Sequence, residues 1–318
     1  MEKVGEITLQ MLQQGCGTGL CPQLMAQLDD IHIHMLFSSL TYERMQRKGF
    51  EITKILDEMG SSWAQATYAT LLRYLLGRAN RKASERLAST ITHNILMREN
   101  ATLWGVEALL LGGAGLLDLY DDEFVVRLKR EFEHLAAKYN ITPLKAEEWR
   151  LSGIHINNHP ALRLAQLAAC IHENIISISN FNKCKDEKDV WRLFSCEASD
   201  YWVEAITRGS SERGISSKIG YMMSHILAIN VIAPLILAYS NYVDSATLNE
   251  KSLDLLYSLP AEDNVYTRHW QSVKPMARCA FDSQALIQLS TEYCARRLCK
   301  ACPLAKHFVK SDAARIAK

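Results

Sequence analysis

The sequence predicts an all-α fold, a multi-helical globular bundle, on three observations. Seven prolines and fifteen glycines among 318 residues are few, while Leu, Ala, Ile, Met, Arg and Glu are plentiful, which favours helix nearly throughout. Apolar residues recur at helical spacing in one segment after another, between residues that cap and stop helices. An apolar share of 48% with 22% charged residues is an ordinary globular mix that can bury a large core without staples. The expected organisation is an N-terminal segment, residues 1–20, and a single helical domain, 21–318, with a polar boundary between helical layers near 181–218.

Residues 22–48 begin with Pro22 in a plausible first turn and carry Leu24, Leu28, Ile31, Met35 and Leu36 at helical spacing, an amphipathic helix. In "SSWAQATYATLLRYLLG", Ser61 or Ser62 caps a helix that Gly77 stops, with Trp63, Tyr68, Leu71, Leu72 and Leu75 facing inward. "LWGVEALLLGGAGLLDLY" is apolar all round and reads as buried. Its Gly112, Gly113 and Gly115 lack the preceding strand and spacing of a dinucleotide fingerprint, so they serve close packing. Glu107, inside this run, is expected to pair with an arginine. "DDEFVVRLKREFEHLAAKYN" is a surface helix with acids at its start and Lys138 at its end, as the macrodipole prefers.

In "NHPALRLAQLAACIHENII", Asn158 is the expected cap and Pro160 sits in the first turn, placing Arg163 and Gln166 on adjoining turns of one face. Residues 219–243 carry no formal charge over a length that would span a bilayer. His225, Asn230, Pro234 and Asn241 would each be costly in lipid, so a buried helix kinked at Pro234 is expected and no membrane partner. "DSQALIQLSTEYCARR" reads as a helix capped by Asp282 or Ser283.

The formal net charge of +1 hides asymmetry. Residues 295–318 carry Arg296, Arg297, Lys300, Lys306, Lys310, Arg315 and Lys318 against Asp312 alone, and residues 73–98 carry Arg73, Arg78, Arg81, Lys82, Arg86 and Arg98 against Glu85. Such stretches can track the phosphates of DNA or RNA, although basic residues on helices commonly form a solvated face. The opening "MEKVGEITLQ" is no secretory signal, so a cytoplasmic location is expected. There, nine cysteines read as thiols or metal ligands rather than disulfides.

Three of them fall in "EYCARRLCKACPLAKHF". The step of four residues from Cys294 to Cys299 and of two to Cys302 lets one turn wrap three thiolates around a centre, a spacing used for iron–sulfur ligation and compatible with zinc. Arg296, Arg297 and Lys300 would offset the thiolate charge. A fourth ligand must come from elsewhere. Cys279 lies about 22 Å away along a continuous helix; His307 is local, and Cys16 and Cys21 are distant in sequence yet able to close the site. No arrangement for nucleophilic or acid–base catalysis stands out: His32 and His34 point apart on a helix, and His155 and His159 sit near a helix start where such residues cap.

The segments "CPQL", "WAQATYATLLRYLLGRAN", "VEALLLGGAGLL", "HPALRLAQLA", "INVIAPLILAY", "LPAEDN", "SQALIQL" and "YCARRLCKAC" together resemble an uncharacterised bacterial family, domain of unknown function 2851. The resemblance implies that Cys21, Cys294, Cys299 and Cys302 match recurrent family cysteines, a four-thiolate site for an iron–sulfur cluster or zinc that joins the two ends of the chain. It implies that Asn158, Pro160, Arg163 and Gln166 match an N-F-P-x-x-R-x-x-Q pattern, with His159 in place of the aromatic residue. The family's longer members carry an upstream β-rich part with G-P-D-F and V-E-I-H motifs, similar to restriction-endonuclease-like folds. Neither motif occurs here, so the resemblance implies the helical C-terminal part only, without the carboxylates of a nuclease. The resulting expectation is a non-catalytic accessory domain working with nucleic acid, through Asn158, Arg163, Gln166, Arg296, Arg297, Lys300, Arg78 and Lys82, beside a nuclease-like domain or subunit. A purely structural or protein-interaction helical domain is the alternative.

Overall fold

The computed structural model describes residues 9–14, 19–60, 62–208 and 214–309. Among them every element is helical, as the composition requires. Contacts divide the chain into two compact units, one of Met1–Lys48 with Leu256–Lys318 and one of Gly49–Leu255.

In the first unit the helix expected over 22–48 is two helices, Leu20–Ala26 and Asp30–Glu58, the second of which runs on past the unit's boundary. Asp29 makes the break, because its carboxylate accepts the backbone N–H of His32 at 2.9 Å, an N-cap bond that starts a new helix. The restart turns the apolar stripe: Ile33, Phe37 and Leu40 face the core, whereas Ile31 and Met35, expected inside, are 71% and 64% exposed. These side chains pack with Leu12, Leu24, Met25, Trp270, Leu286 and Leu304. The helix expected from Asp282 or Ser283 begins earlier, Ala280–Gln288 with Cys279 at the cap position. Asp282 instead accepts the N–H of Arg278 at 2.8 Å, and Ser283 bonds inside the first turn to the Ala280 carbonyl at 2.9 Å.

In the second unit the helix Trp63–Leu75 starts as expected, with the Ser62 hydroxyl accepting the Gln65 N–H. Leu103–Glu107 continues into a π-turn, Ala108–Gly112, packed on Glu123–Tyr139 and Pro160–His172. The glycines here serve close approach, as expected: a Cβ on Gly112 would lie 2.1 Å from the Phe132 ring and one on Gly113 2.5 Å from Ile91. Pro160–His172 is capped by the His159 ring, which accepts the Ala161 N–H at 3.3 Å, and not by Asn158, whose side chain is engaged elsewhere. The apolar helix Tyr221–Tyr242 is the one described helix long and apolar enough to cross a membrane, and 72% of its most apolar window is buried in the fold. Within it the Asn230 amide donates to the Ile226 carbonyl at 2.9 Å, and a π-turn, Ala228–Ile232, precedes Pro234. The polar stretch 181–218 lies inside this unit and carries the short helices Glu187–Leu193 and Asp200–Thr207.

Candidate functional site

The last long helix of the first unit loosens into a π-turn, Leu289–Cys294, which places Cys294 at its end. Arg297 then takes a left-handed conformation, φ 54°, and the helix closes by two backbone bonds, Arg297 N–H to the Cys294 carbonyl at 3.0 Å and Leu298 N–H to the Tyr293 carbonyl at 2.9 Å. The chain reverses through Cys299, and Cys302 stands at the cap position of a short helix, Pro303–Phe308, begun by its proline. Cys21 sits in the first turn of Leu20–Ala26, which starts one residue ahead of it rather than at Pro22.

Although about 270 residues separate Cys21 from the others, all four cysteines line one cavity of about 20 Å³, walled otherwise by Leu12, Leu24, Tyr293, Leu304 and Ala305. That volume admits a single water-sized occupant. Cys302 is buried and the other three half-buried. The Tyr293 hydroxyl donates to Glu43 at 2.8 Å; burial, reinforced by that bond, pushes the phenol up to about 12, so it is neutral at ordinary pH. The donor set is that of a soft, thiolate-bound ion. The side chains are not drawn into a ligand sphere, since among the described residues no group of three or more His, Cys, Asp or Glu is placed to hold a metal ion.

The other local choices lie away from this cavity. Cys279 is at the far end of the helix that delivers Cys294, and His307 stacks edge-on against His32 with ring centroids 4.8 Å apart. Cys16 lies outside the described residues. His32 is tied to Asp29 at 2.7 Å. Leu12, from the segment 1–20 expected to stand apart from the helical domain, and Tyr293, next to Cys294, also line the cavity; only their spacing on helices that reach the cysteines marks them in the sequence.

Arg163 and Gln166 meet on one helix face, but inside the second unit. They are 5% and 2% exposed. Arg163 donates to the Gln166 and Asn158 side-chain oxygens, both at 2.9 Å, and Gln166 in turn donates to the carbonyls of Ser216 and Lys218. Burial lowers the guanidinium to about 10, which leaves it charged at neutral pH among neutral acceptors. Neither side chain is presented to solvent, so the pair latches a turn to a helix rather than offering a phosphate contact. The expectation that Glu107 pairs with an arginine is corrected too: its carboxylate accepts from Ser199 instead, because the turn before Asp200–Thr207 reaches it first.

A family model described as "Protein of unknown function (DUF2851)" matches residues 2–265, most of the chain. The chain belongs to the DUF2851 family. No curated protein and no solved structure matches it. The DUF2851 match includes Cys21, Asn158, Arg163 and Gln166 but ends before Cys294, Cys299 and Cys302, so the cysteine turn rests on its own residues and geometry. Of the basic side chains expected at phosphate, Arg296, Arg297 and Lys300 are exposed on that turn of this DUF2851 member, with Arg296 3.3 Å from Glu292 one turn back. Arg78 and Lys82 are exposed in the second unit, flanking the start of Arg81–Thr90.

Proposed function

We propose that this DUF2851 protein is a helical accessory module in which a thiolate metal centre ties its N-terminal helices to its C-terminal turn, and which works on nucleic acid beside a catalytic partner rather than as the catalyst. The observation that carries the reading is the shared cavity: four thiols from opposite ends of the chain border a space the size of one atom. Metal binding would draw Cys21, Cys294, Cys299 and Cys302 inward to about 2.3 Å around a tetrahedral ion. The cavity volume favours a single ion such as zinc over a multi-iron cluster. Such an ion is structural here: it joins residues far apart in sequence, and closing so long a loop restricts the unfolded chain.

The exposed Arg296, Arg297 and Lys300 beside the thiols supply positive charge at the same turn, where phosphate would be met. Fluorescence anisotropy with a labelled DNA duplex at several salt concentrations tests this half. Binding is expected to weaken linearly on a log–log plot, and reversing all three charges should lower the slope by about 2–3, one per lost phosphate contact. Absence of binding at low salt would leave the second reading, a structural or protein-interaction domain. That reading gains from the burial of Arg163 and Gln166, whose polar atoms are spent on internal bonds.

A further inference from the structure

A cavity of the second unit is unconnected with the cysteine turn. The helix Trp63–Leu75 brings Trp63 and Thr67, one turn apart, to the wall of a cavity of about 490 Å³. His93 and Met97, again one turn apart on His93–Arg98, form a second wall, and the turn from Asn174 to Asn182 forms a third. Ile171, Ile176, Tyr239 and Leu248 complete an apolar interior. The volume lies in the range of pockets that enclose a small organic molecule.

Three features define what fits. No Asp, Glu, Lys or Arg lines the cavity, so a charged ligand would lose its hydration without a counter-charge. Trp63 is set edge-to-face against Tyr239 and Tyr242, centroids 5.1 and 5.4 Å away, a rigid aromatic corner suited to another flat ring. Buried polar atoms on two of the walls lack a partner within the protein: the Trp63 Nε1 donor, the Thr67 hydroxyl and the Asn182 Oδ1 acceptor. Buried groups of this kind are ordinarily satisfied. The His93 ring, which burial keeps toward its neutral form, can add one donor or acceptor without adding charge.

We propose that this cavity binds a flat, uncharged heteroaromatic molecule that carries both a hydrogen-bond acceptor and a donor on its rim, the acceptor for Trp63 Nε1 and the donor for Asn182 Oδ1. Trp63 and Asn182 are both half-buried side chains at the cavity wall, and the ligand would be met by turning these atoms toward it. The proposal is independent of the metal centre, which belongs to the other unit.

The test titrates the purified full chain with phenylnaphthylamine, a neutral aromatic amine that fluoresces in apolar surroundings, and with anilinonaphthalene sulfonate, the same skeleton bearing a negative charge. Saturable binding of one phenylnaphthylamine per chain is expected, with the sulfonate at least about tenfold weaker. Ala64→Trp and Ser179→Trp, at exposed wall positions, should fill the cavity and weaken the neutral probe at least about tenfold while leaving the unfolding temperature unchanged. Should a filler variant fail to fold, Trp63→Phe should reduce energy transfer from tryptophan to the bound probe. Non-saturable binding, equal affinity for the two probes, wild-type affinity in both folded filler variants, or unchanged energy transfer in Trp63→Phe would each overturn the proposal.

Discussion

Glu107 and Ser199 meet twice, across 92 residues of chain: the Glu107 carboxylate accepts the Ser199 backbone N–H at 3.1 Å and its hydroxyl at 2.8 Å. Glu107 has no exposed surface. Burial pushes its carboxyl up from the ordinary value, and the Ser199 bonds pull the other way without cancelling it. The fold therefore prefers the protonated form. What this group contributes to stability is fully present below its ordinary value of 4.5 and fades as pH rises through its folded value.

Glu107→Gln abolishes that titration, so its stability relative to wild type should increase as pH rises from about 4 to 7. Glu107→Ala strands the Ser199 donors and should cost about 2–3 kcal/mol at neutral pH. Denaturant melts of the three proteins at several pH values check both; a Gln variant that tracks wild type at every pH contradicts the assignment.

Gly115 and Gly49 should answer alanine in opposite directions. Gly115 has φ +69°, and a Cβ there would lie 2.1 Å from the Leu144 carbonyl oxygen, a backbone atom that cannot turn aside. Gly115→Ala should cost roughly 3 kcal/mol or more. Gly49 lies within the helix Asp30–Glu58, and its Cβ would make ordinary contact with Ala238 at 3.7 Å. Gly49→Ala should therefore gain about 0.5–1 kcal/mol through helix propensity. Thermal unfolding of both variants is the check.

Arg163 is the third case. Removing it in Arg163→Ala leaves the Asn158 and Gln166 oxygens short of a donor and a void on a buried face, for a loss of about 3–5 kcal/mol. Arg163→Lys should recover only part of this, because a point ammonium cannot span both acceptors as the planar fork does. At temperatures where both variants are folded, nucleic-acid affinity should match wild type; a loss of affinity with stability intact would return Arg163 to a binding role.

These cases mark what the sequence disclosed. Helices over Trp63–Leu75 and Glu123–Tyr139 carry their caps, Ser62 and Asp122, in the residue just before them, so local chemistry alone reveals them. The break at Asp29 was hidden because Leu24 to Leu36 keeps a helical rhythm through it, and only the Asp29–His32 cap bond resets the phase. The start at Cys279 is not legible, because its side chain makes no cap bond, and at the other helix the His159 ring takes the cap that Asn158, the more usual residue type, was expected to supply. Glu107's partner was out of reach for another reason: a contact between residues 92 positions apart is set by how helices pack, and nothing near either residue in sequence announces it. The grouping of Cys294, Cys299 and Cys302 was legible by spacing, whereas Cys21 stood beside Cys16 and His307 as one of several fourth candidates until the resemblance singled it out.

The metal content of two serine variants tests most directly the proposed closure of the fold through Cys21. Cys21 borders the cavity with Cys294, Cys299 and Cys302, whereas Cys170 is buried in the helix Pro160–His172 of the other unit. Elemental analysis with absorbance spectra of anaerobically purified wild type, Cys21→Ser and Cys170→Ser should find about one metal ion per chain in wild type and in Cys170→Ser. Cys21→Ser should lose the metal and unfold at a lower temperature. Wild-type protein without metal, or a Cys21→Ser variant that keeps both its metal and its unfolding temperature, would contradict the staple.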